Sequence, residues 1–245
     1  MKNILITGAT SGIGLALTQN YVTQGCHVLA CGRNADKLKG LDKELSSDTG
    51  HVTTLCFDIN DKQAVLNTTQ QLPELDIIIL NAGDCKYIDD AVNFDAQRFE
   101  SVIQTNLISI GYALQAWLNK LKSGGNLVFV SSSVTLLNLP RSQAYGASKA
   151  GLNYLANSLA VDLYPHNITV SLVQPGFIKT PLTDKNNFSM PFLISAEEAA
   201  NRIAKGITKN KPVIQFPKRM IFTLKLLSFI PTGLWHKLNN KASTK

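Results

Sequence analysis

The stretch NILITGATSGIG, Asn3 to Gly14, decides the architecture. Asn3–Thr7 is a short aliphatic run with little alternation, which reads as a strand buried on both faces. It leads within a few residues into a segment of helical period over Gly12–Gln24. Strand and helix therefore meet through Thr7, Gly8, Ala9, Thr10, Ser11, Gly12, Ile13 and Gly14. Glycine permits so tight a turn, and the free N–H groups that open a helix attract a pyrophosphate. The spacing G-x-x-x-G-x-G differs from the commoner dinucleotide fingerprint G-x-G-x-x-G.

The same alternation continues outward from this stretch. Further strands are expected at His27–Cys31, Val52–Phe57, Asp76–Leu80, Asn126–Ser131, Ile168–Val173 and Val213–Phe216. Helical patterns fall at Ala35–Leu45, Asp61–Gln70, Ala96–Leu121, Tyr145–Tyr164 and Ala196–Thr208. Seven strands separated by helices predict an α/β fold, Rossmann-like and doubly wound. Its sheet should be mostly parallel and seven-stranded, with helices on both faces. Ligands of such folds bind beyond the C-terminal strand ends.

At 245 residues and 44% apolar content, the chain is long enough for one full core. We expect one domain over residues 1–216, with a substrate lid at about 181–195, and a basic, partly helical extension over 217–245. The N-terminus enters a strand at once, with no n-region and apolar h-region, so no signal peptide is expected. The cysteines, Cys26, Cys31, Cys56 and Cys85, lack metal-ligand spacing, and no metal site is expected. Cys31 and Cys56 end apolar runs, where a thiol behaves as a small hydrophobe. A cytoplasmic setting follows from these readings.

Several strand ends carry polar groups. After the second strand no carboxylate stands ready for a ribose hydroxyl, whereas Arg33 offers a bidentate fork to a 2′-phosphate. That favours NADP(H) over NAD(H). Asp58, followed by Ile59, ends the third strand and could accept from an adenine amine. Asn81, Ala82 and Gly83 follow the fourth strand. The fifth ends in Ser131, Ser132 and Ser133, and thirteen residues after Ser132 comes Tyr145, with Lys149 one helical turn on.

With these residues in place, the chain resembles the short-chain dehydrogenase/reductase family. T-G-x-x-x-G-I-G is met by Thr7–Gly14, N-A-G by Asn81–Gly83, and Y-x-x-x-K by Tyr145–Lys149. The resemblance covers roughly residues 1–216. It implies that Asn106, Ser132, Tyr145 and Lys149 are catalytic, and that Asn106 kinks its helix and holds a water leading to Lys149. It also matches Pro175, Gly176, Ile178 and Thr180 to a loop whose threonine closes over the nicotinamide carboxamide. Homodimers or homotetramers built on the helices near 96–121 and 145–164 are a further implication.

Simple chemistry supports the set. A carbonyl reduced by hydride needs a proton, and a tyrosine near its ordinary pKa of about 10 is a poor base at neutral pH. The positive charge of Lys149, on the same helix face, would together with that of an oxidised nicotinamide favour the phenolate and bring that value toward the working range. Ser132 would hold the substrate oxygen beside Tyr145. Sugar-nucleotide epimerases share Y-x-x-x-K but usually carry a larger substrate domain after the sixth strand. A non-catalytic NADP(H)-binding sensor or scaffold would be expected to lack one of the four residues. The preferred reading is an NADPH-dependent carbonyl reductase, reversible as an alcohol dehydrogenase, acting on a hydrophobic small-molecule carbonyl or alcohol.

In the lid, Phe188, Met190, Phe192 and Leu193 are candidates to line an apolar pocket, and Ser195 with Glu198 reads as a capping box. His27, His51 and His166 have no ligand partner at useful spacing. Trp117 and Tyr154 read as core or subunit contact. The net charge of +7 resides wholly in the tail: Lys211 to Lys245 contains six lysines and one arginine and no acidic residue. Two readings stand for the apolar, basic run Ile221–Ile230: peripheral contact with the inner face of a membrane, or packing on the body. No base-stacking platform supports nucleic-acid binding.

Overall fold

The computed structural model describes residues 1–45 and 50–242. Seven strands, β1 (Asn3–Thr7), β2 (His27–Gly32), β3 (His51–Cys56), β4 (Leu75–Leu80), β5 (Leu121–Val130), β6 (Thr169–Pro175) and β7 (Val213–Phe216), form one sheet. Its order is β3-β2-β1-β4-β5-β6-β7, and every neighbouring pair is parallel. The order reverses between β1 and β4, so a crevice opens beyond their C-terminal ends.

The helices are α1 (Gly12–Thr23), α2 (Ala35–Leu45), α3 (Lys62–Asn67), α4 (Ala96–Ile103), α5 (Ser109–Trp117), α6 (Gln143–Leu163), α7 (Ala196–Thr208), α8 (Lys218–Leu227) and α9 (Thr232–Ala242). Side-chain alternation along each strand splits the core in two. Ile4, Ile6, Val28, Ile79 and Val128 face α1, α2 and α7. Leu5, Leu29, Ile78, Leu127 and Phe129 face α3, α5 and α6. Because both faces are covered, the strands read as continuous apolar runs. Trp117 is fully buried and donates its indole N–H to Thr68 Oγ1 at 2.8 Å, whereas Tyr154 is exposed.

Three elements differ from the sequence expectation. The helix expected over Ala96–Leu121 is α4 and α5 joined by a π turn at Gln104–Ile108, closed by a 3₁₀ turn at Leu118–Lys120. Leu121 already pairs with Leu75, and the register shifts before Ile77 meets Asn126. The helix expected over Asp61–Gln70 tightens into a 3₁₀ turn after Asn67, with the Asp61 carboxylate accepting from the Ala64 N–H at its start. Only half of the capping box forms. Ser195 Oγ accepts from the Glu198 N–H at 3.1 Å, but the Glu198 carboxylate turns to Arg202 instead of reaching back.

The tail packs on the body. Met220, Ile221 and Leu224 on α8 are buried; Met220 and Leu224 lie against Leu137, with Phe177, Leu139 and Trp235 around them. Trp235 Nε1 donates to the Asn138 carbonyl at 2.9 Å. Of the two readings open for this run, α8 therefore follows the packing one. Phe222, Leu226 and Phe229 remain exposed. Among the described residues no helix is long and apolar enough to cross a membrane. Nor does any group of three or more His, Cys, Asp or Glu among them sit where it could hold a metal ion.

Candidate active site

The sheet's C-terminal edge carries three adjoining depressions. The first, about 170 Å³, lies over Gly8, Ser11, Gly12, Ile13 and Asn81–Gly83, and reaches Tyr145, Lys149 and Thr180. A second, about 310 Å³, runs from Thr7, Gly8, Thr10 and Ser11 to Arg33, Asp58 and Ile59. The third, about 520 Å³ and mostly apolar, takes in Ser132, Tyr145 and Gly176 and continues between the lid and α8. The first and third meet at Tyr145 and Leu182.

The glycine-rich turn is shaped for close backbone approach. Gly8 has φ +66° and Gly12 has φ +53°, values that L side chains rarely adopt. Ser11 caps α1 without a side-chain bond to the helix, so the first N–H groups of α1 open toward the first cleft. Gly14 lines neither cleft. It lies where α1 touches the turn, and a Cβ there would run into the Gly8 carbonyl.

Thr7 and Asn81 clasp β1 to β4. Thr7 Oγ1 accepts from the Asn81 and Ala82 N–H groups, both at 2.9 Å, and Asn81 Nδ2 donates to the Thr7 carbonyl at 2.9 Å. Arg33 and Asp58, expected to serve separate parts of a nucleotide, form an exposed ion pair at 3.7 Å. Asp58 also accepts from the Asn60 N–H at 2.9 Å. Ile178 is buried in the core and bridges Ile194, and Pro175 is buried at the end of β6, so neither lines a cleft.

Sequence reading missed Asn34, Lys37, Asn60 and Thr105 in the second cleft. Lys37 stands one turn beyond Arg33, a spacing that could have flagged it. Asn60 Oδ1 is buried without a protein hydrogen bond. A glycine cradle, a helix start and two cations, Arg33 and Lys37, beside one cleft fit a dinucleotide.

Asn106 sits inside the π turn, almost fully buried. Its Oδ1 accepts from the Asp84 N–H at 2.7 Å, and its Nδ2 donates to the Asp84 carbonyl at 2.8 Å and to Ser148 Oγ at 2.9 Å. The side chain is therefore committed to the loop after Asn81–Gly83. Lys149 Nζ donates to the Val130 carbonyl at 2.9 Å. A Cβ on Gly83 would lie 3.2 Å from Asn106 Oδ1 and 3.4 Å from Lys149 Nζ, so that glycine keeps both groups close.

Of the three serines, Ser131 bonds to Asn153 at 2.5 Å. Ser132 accepts from the Val134 N–H at 3.1 Å and faces Tyr145 in the third cavity. Burial lifts the Tyr145 phenol well above its ordinary value, and a hydrogen bond to Ser132 pulls the other way. Within the protein alone desolvation dominates, and it also lowers Lys149 to about 8. Tyr145 is thus held protonated, as a donor.

Two neighbours went unread in the sequence. Cys85 and Tyr87 line the cavity beside Tyr145, and burial raises the Cys85 thiol to about 11. Cys56, expected to behave as a buried hydrophobe, is exposed at the end of β3. Of the lid residues, Phe188 and Phe192 line the cavity, while Met190 and Leu193 do not. Tyr87 OH donates to Asn186 Oδ1 at 2.9 Å, and Phe188 meets Tyr87 and Phe177 edge-on, which fastens the lid.

Residues 2–190 match the family described as short chain dehydrogenase. An uncharacterized oxidoreductase of Myxococcus xanthus is 31% identical over 96% of this chain and 94% of its own. A fatty acyl-CoA reductase of Acinetobacter baylyi is 29% identical over 98% of this chain and 82% of its own. Among solved structures, BdcA in complex with NADPH superposes with a TM-score of 0.75 at 25% identity, over 87% of this chain and 91% of its own.

Proposed function

The chain belongs to the short-chain dehydrogenase/reductase family and is an NAD(P)-dependent oxidoreductase, and from that premise we propose that it reduces a hydrophobic carbonyl compound with NADPH. The observation that carries this reading is the position of Tyr145. It is a buried, protonated phenol beside Ser132, at the junction between a nucleotide-shaped cleft and an apolar cavity.

The N–H groups opening α1 would take the pyrophosphate, Arg33 and Lys37 the 2′-phosphate, and Asp58 the adenine amine. Thr180 borders the first cleft, packed against Gly12, and would take the carboxamide. A nicotinamide bound there supplies hydride. Ser132 donates to the carbonyl oxygen and fixes its distance from Tyr145, whose O–H delivers the proton to the forming alkoxide. Lys149 recharges that proton path, and Asn106 positions the Asp84 loop beside it. The fatty acyl-CoA reductase relative and the NADPH-bound BdcA support both the apolar substrate and the phosphorylated cofactor.

Fluorescence titration of wild type and Arg33→Ala tests the cofactor assignment. NADPH should bind at least about tenfold more tightly than NADH in wild type, the scale of one charge-assisted phosphate contact. The gap should shrink in the variant. Equal binding of the two cofactors by wild type would make Arg33 a bystander, and the preferred direction would then be alcohol oxidation.

The pH dependence of cofactor capture follows from Lys149. Its amine is charged below about 8 and neutral above, and kcat/KM for NADPH reports ionisations of the free enzyme. That constant should therefore fall as pH rises through about 8. In Lys149→Arg, whose charge persists, the fall should vanish from that window. A flat wild-type profile from neutrality to pH 9 would remove Lys149 from cofactor capture.

Tyr154, Val161 and Tyr164 on and just beyond α6 are strongly exposed, which supports a homo-oligomer joined through this face. Sedimentation velocity checks it, and a monomer at micromolar concentration would rule it out.

A further inference from the structure

We propose that α8 is the specificity wall of the substrate cavity and selects an unbranched apolar chain about nine atoms long beyond the carbonyl carbon. The inference rests on the carbonyl-reductase reading for its reactive end and on separate observations for its shape.

The cavity of about 520 Å³ lies between the lid and α8. On the α8 side its lining is Met220, Thr223, Leu224 and Leu227, spaced i, i+3, i+4 and i+7, a single stripe along one helix face. At 1.5 Å per residue that stripe is about 10 Å long. An extended chain advances about 3.3–3.6 Å for every three bonds, so roughly nine bonds fill it. Leu139, Phe177, Phe188 and Phe192 complete its apolar lining.

The orientation of the slot follows from its ends. Met220 packs against Gly176, at the end of β6, and a Cβ on that glycine would collide with the Met220 sulfur. The start of α8 therefore sits at the reactive end, near Ser132 and Tyr145, and Leu227 marks the far end. Among the described residues no Asp or Glu lines the cavity. Arg141, the one charged residue among those that do, is paired with Asp89 at 2.5 Å and lies over the Tyr87 ring at 5.0 Å. A slot with a polar reactive end and an uncharged apolar shaft fits an aliphatic aldehyde, ketone or acyl thioester better than a polar or compact substrate.

The test is the rate of NADPH oxidation with butanal, hexanal, octanal, decanal and tetradecanal. A parallel calorimetric titration compares butanol with decanol in the presence of NADP⁺. The value of kcat/KM should rise about threefold to fourfold per methylene, the worth of roughly 0.8 kcal/mol of burial, and level off near decanal. Leu227→Trp should move the plateau to shorter chains and cut the decanal-to-butanal ratio at least thirtyfold. Leu227→Ala, which adds no bulk, should move it to longer ones and stands in if the tryptophan variant does not fold.

Reduction of all aldehydes with no dependence on chain length, together with equal binding of the two alcohols, would overturn the proposal and leave the reductase reading intact. So would a fused-ring ketone reduced faster than decanal. If no aldehyde is reduced but decanol binds more tightly than butanol, and Leu227→Trp closes that gap, the slot stands and the reductase reading fails.

Discussion

Tyr145→Phe is expected to lower kcat for carbonyl reduction about a thousandfold, while NADPH affinity changes only a few-fold. General acids contribute roughly 10²–10⁴ to such steps. The substitution removes one oxygen from a partly buried ring and leaves its packing with Ile88 and Ala144 in place. The effect should be confined to the proton. Tyr145 is held protonated by burial, so its loss cannot be offset by raising the pH. Single-turnover reduction under saturating NADPH reads the step directly. Tyr87 and Cys85 stand next in line as donors in the same cavity. A loss smaller than about tenfold, well below the general-acid range, would move the assignment to one of them, and Tyr87→Phe in parallel would say which.

Gly14→Ala should be the most damaging small change in the nucleotide cleft. The added Cβ would meet the Gly8 carbonyl and lie 2.6 Å from Asn81 Nδ2. The carbonyl is backbone and cannot swing away. Relief requires α1 to lift off the turn, which breaks the Asn81 clasp and displaces the N–H groups that open the helix. Overpacking of this kind costs about 1–3 kcal/mol. At this chain length that is a melting-point drop of roughly 2–12 °C. The loss of NADPH affinity should exceed a hundredfold, because the phosphate contacts move together. Gly40→Ala is the matched control: nothing lies within 4 Å of its Cβ. That change, inside α2, should raise stability by up to about 1 kcal/mol with cofactor binding intact. Similar binding losses in both variants would detach the effect from the close approach at Gly14.

The parts of this molecule legible in the sequence are those with a local physical cause. The strand at Asn3–Thr7 and its glycine turn are visible because burial on both faces demands an unbroken apolar run and the turn demands glycine. Ser132 stands out from its neighbours by spacing to Tyr145, and the structure turns Ser131 away to Asn153. Other features depend on contacts distant in sequence. Nothing around Cys85 and Tyr87 marks them until the lid folds over and Asn186 accepts from Tyr87. The apolar residues of α8 surround most of the helix, so pattern alone cannot say that Met220, Leu224 and Leu227 form one wall. The desolvation that lifts Tyr145 comes from elements distant in sequence, and burial depth is a property of the whole fold.

The π turn at Gln104–Ile108 has a consequence for how the chain tolerates length changes. A π turn holds i→i+5 bonds and so stores one residue more than an α turn of the same reach. Removing a single residue there, Gln104 for instance, would let the segment relax into unbroken α-helix with its carbonyls all bonded. The backbone would gain regularity, and because the wide turn covers the same reach with one residue more, α4 and α5 would keep their phase: Val102 would stay near Ala144, and Ile110, Ala113 and Trp117 on the sheet. The loss would be local, at Asn106, whose side chain spans from the turn to the Asp84 backbone and Ser148. A one-residue deletion at this point should therefore spare the core and strike the site.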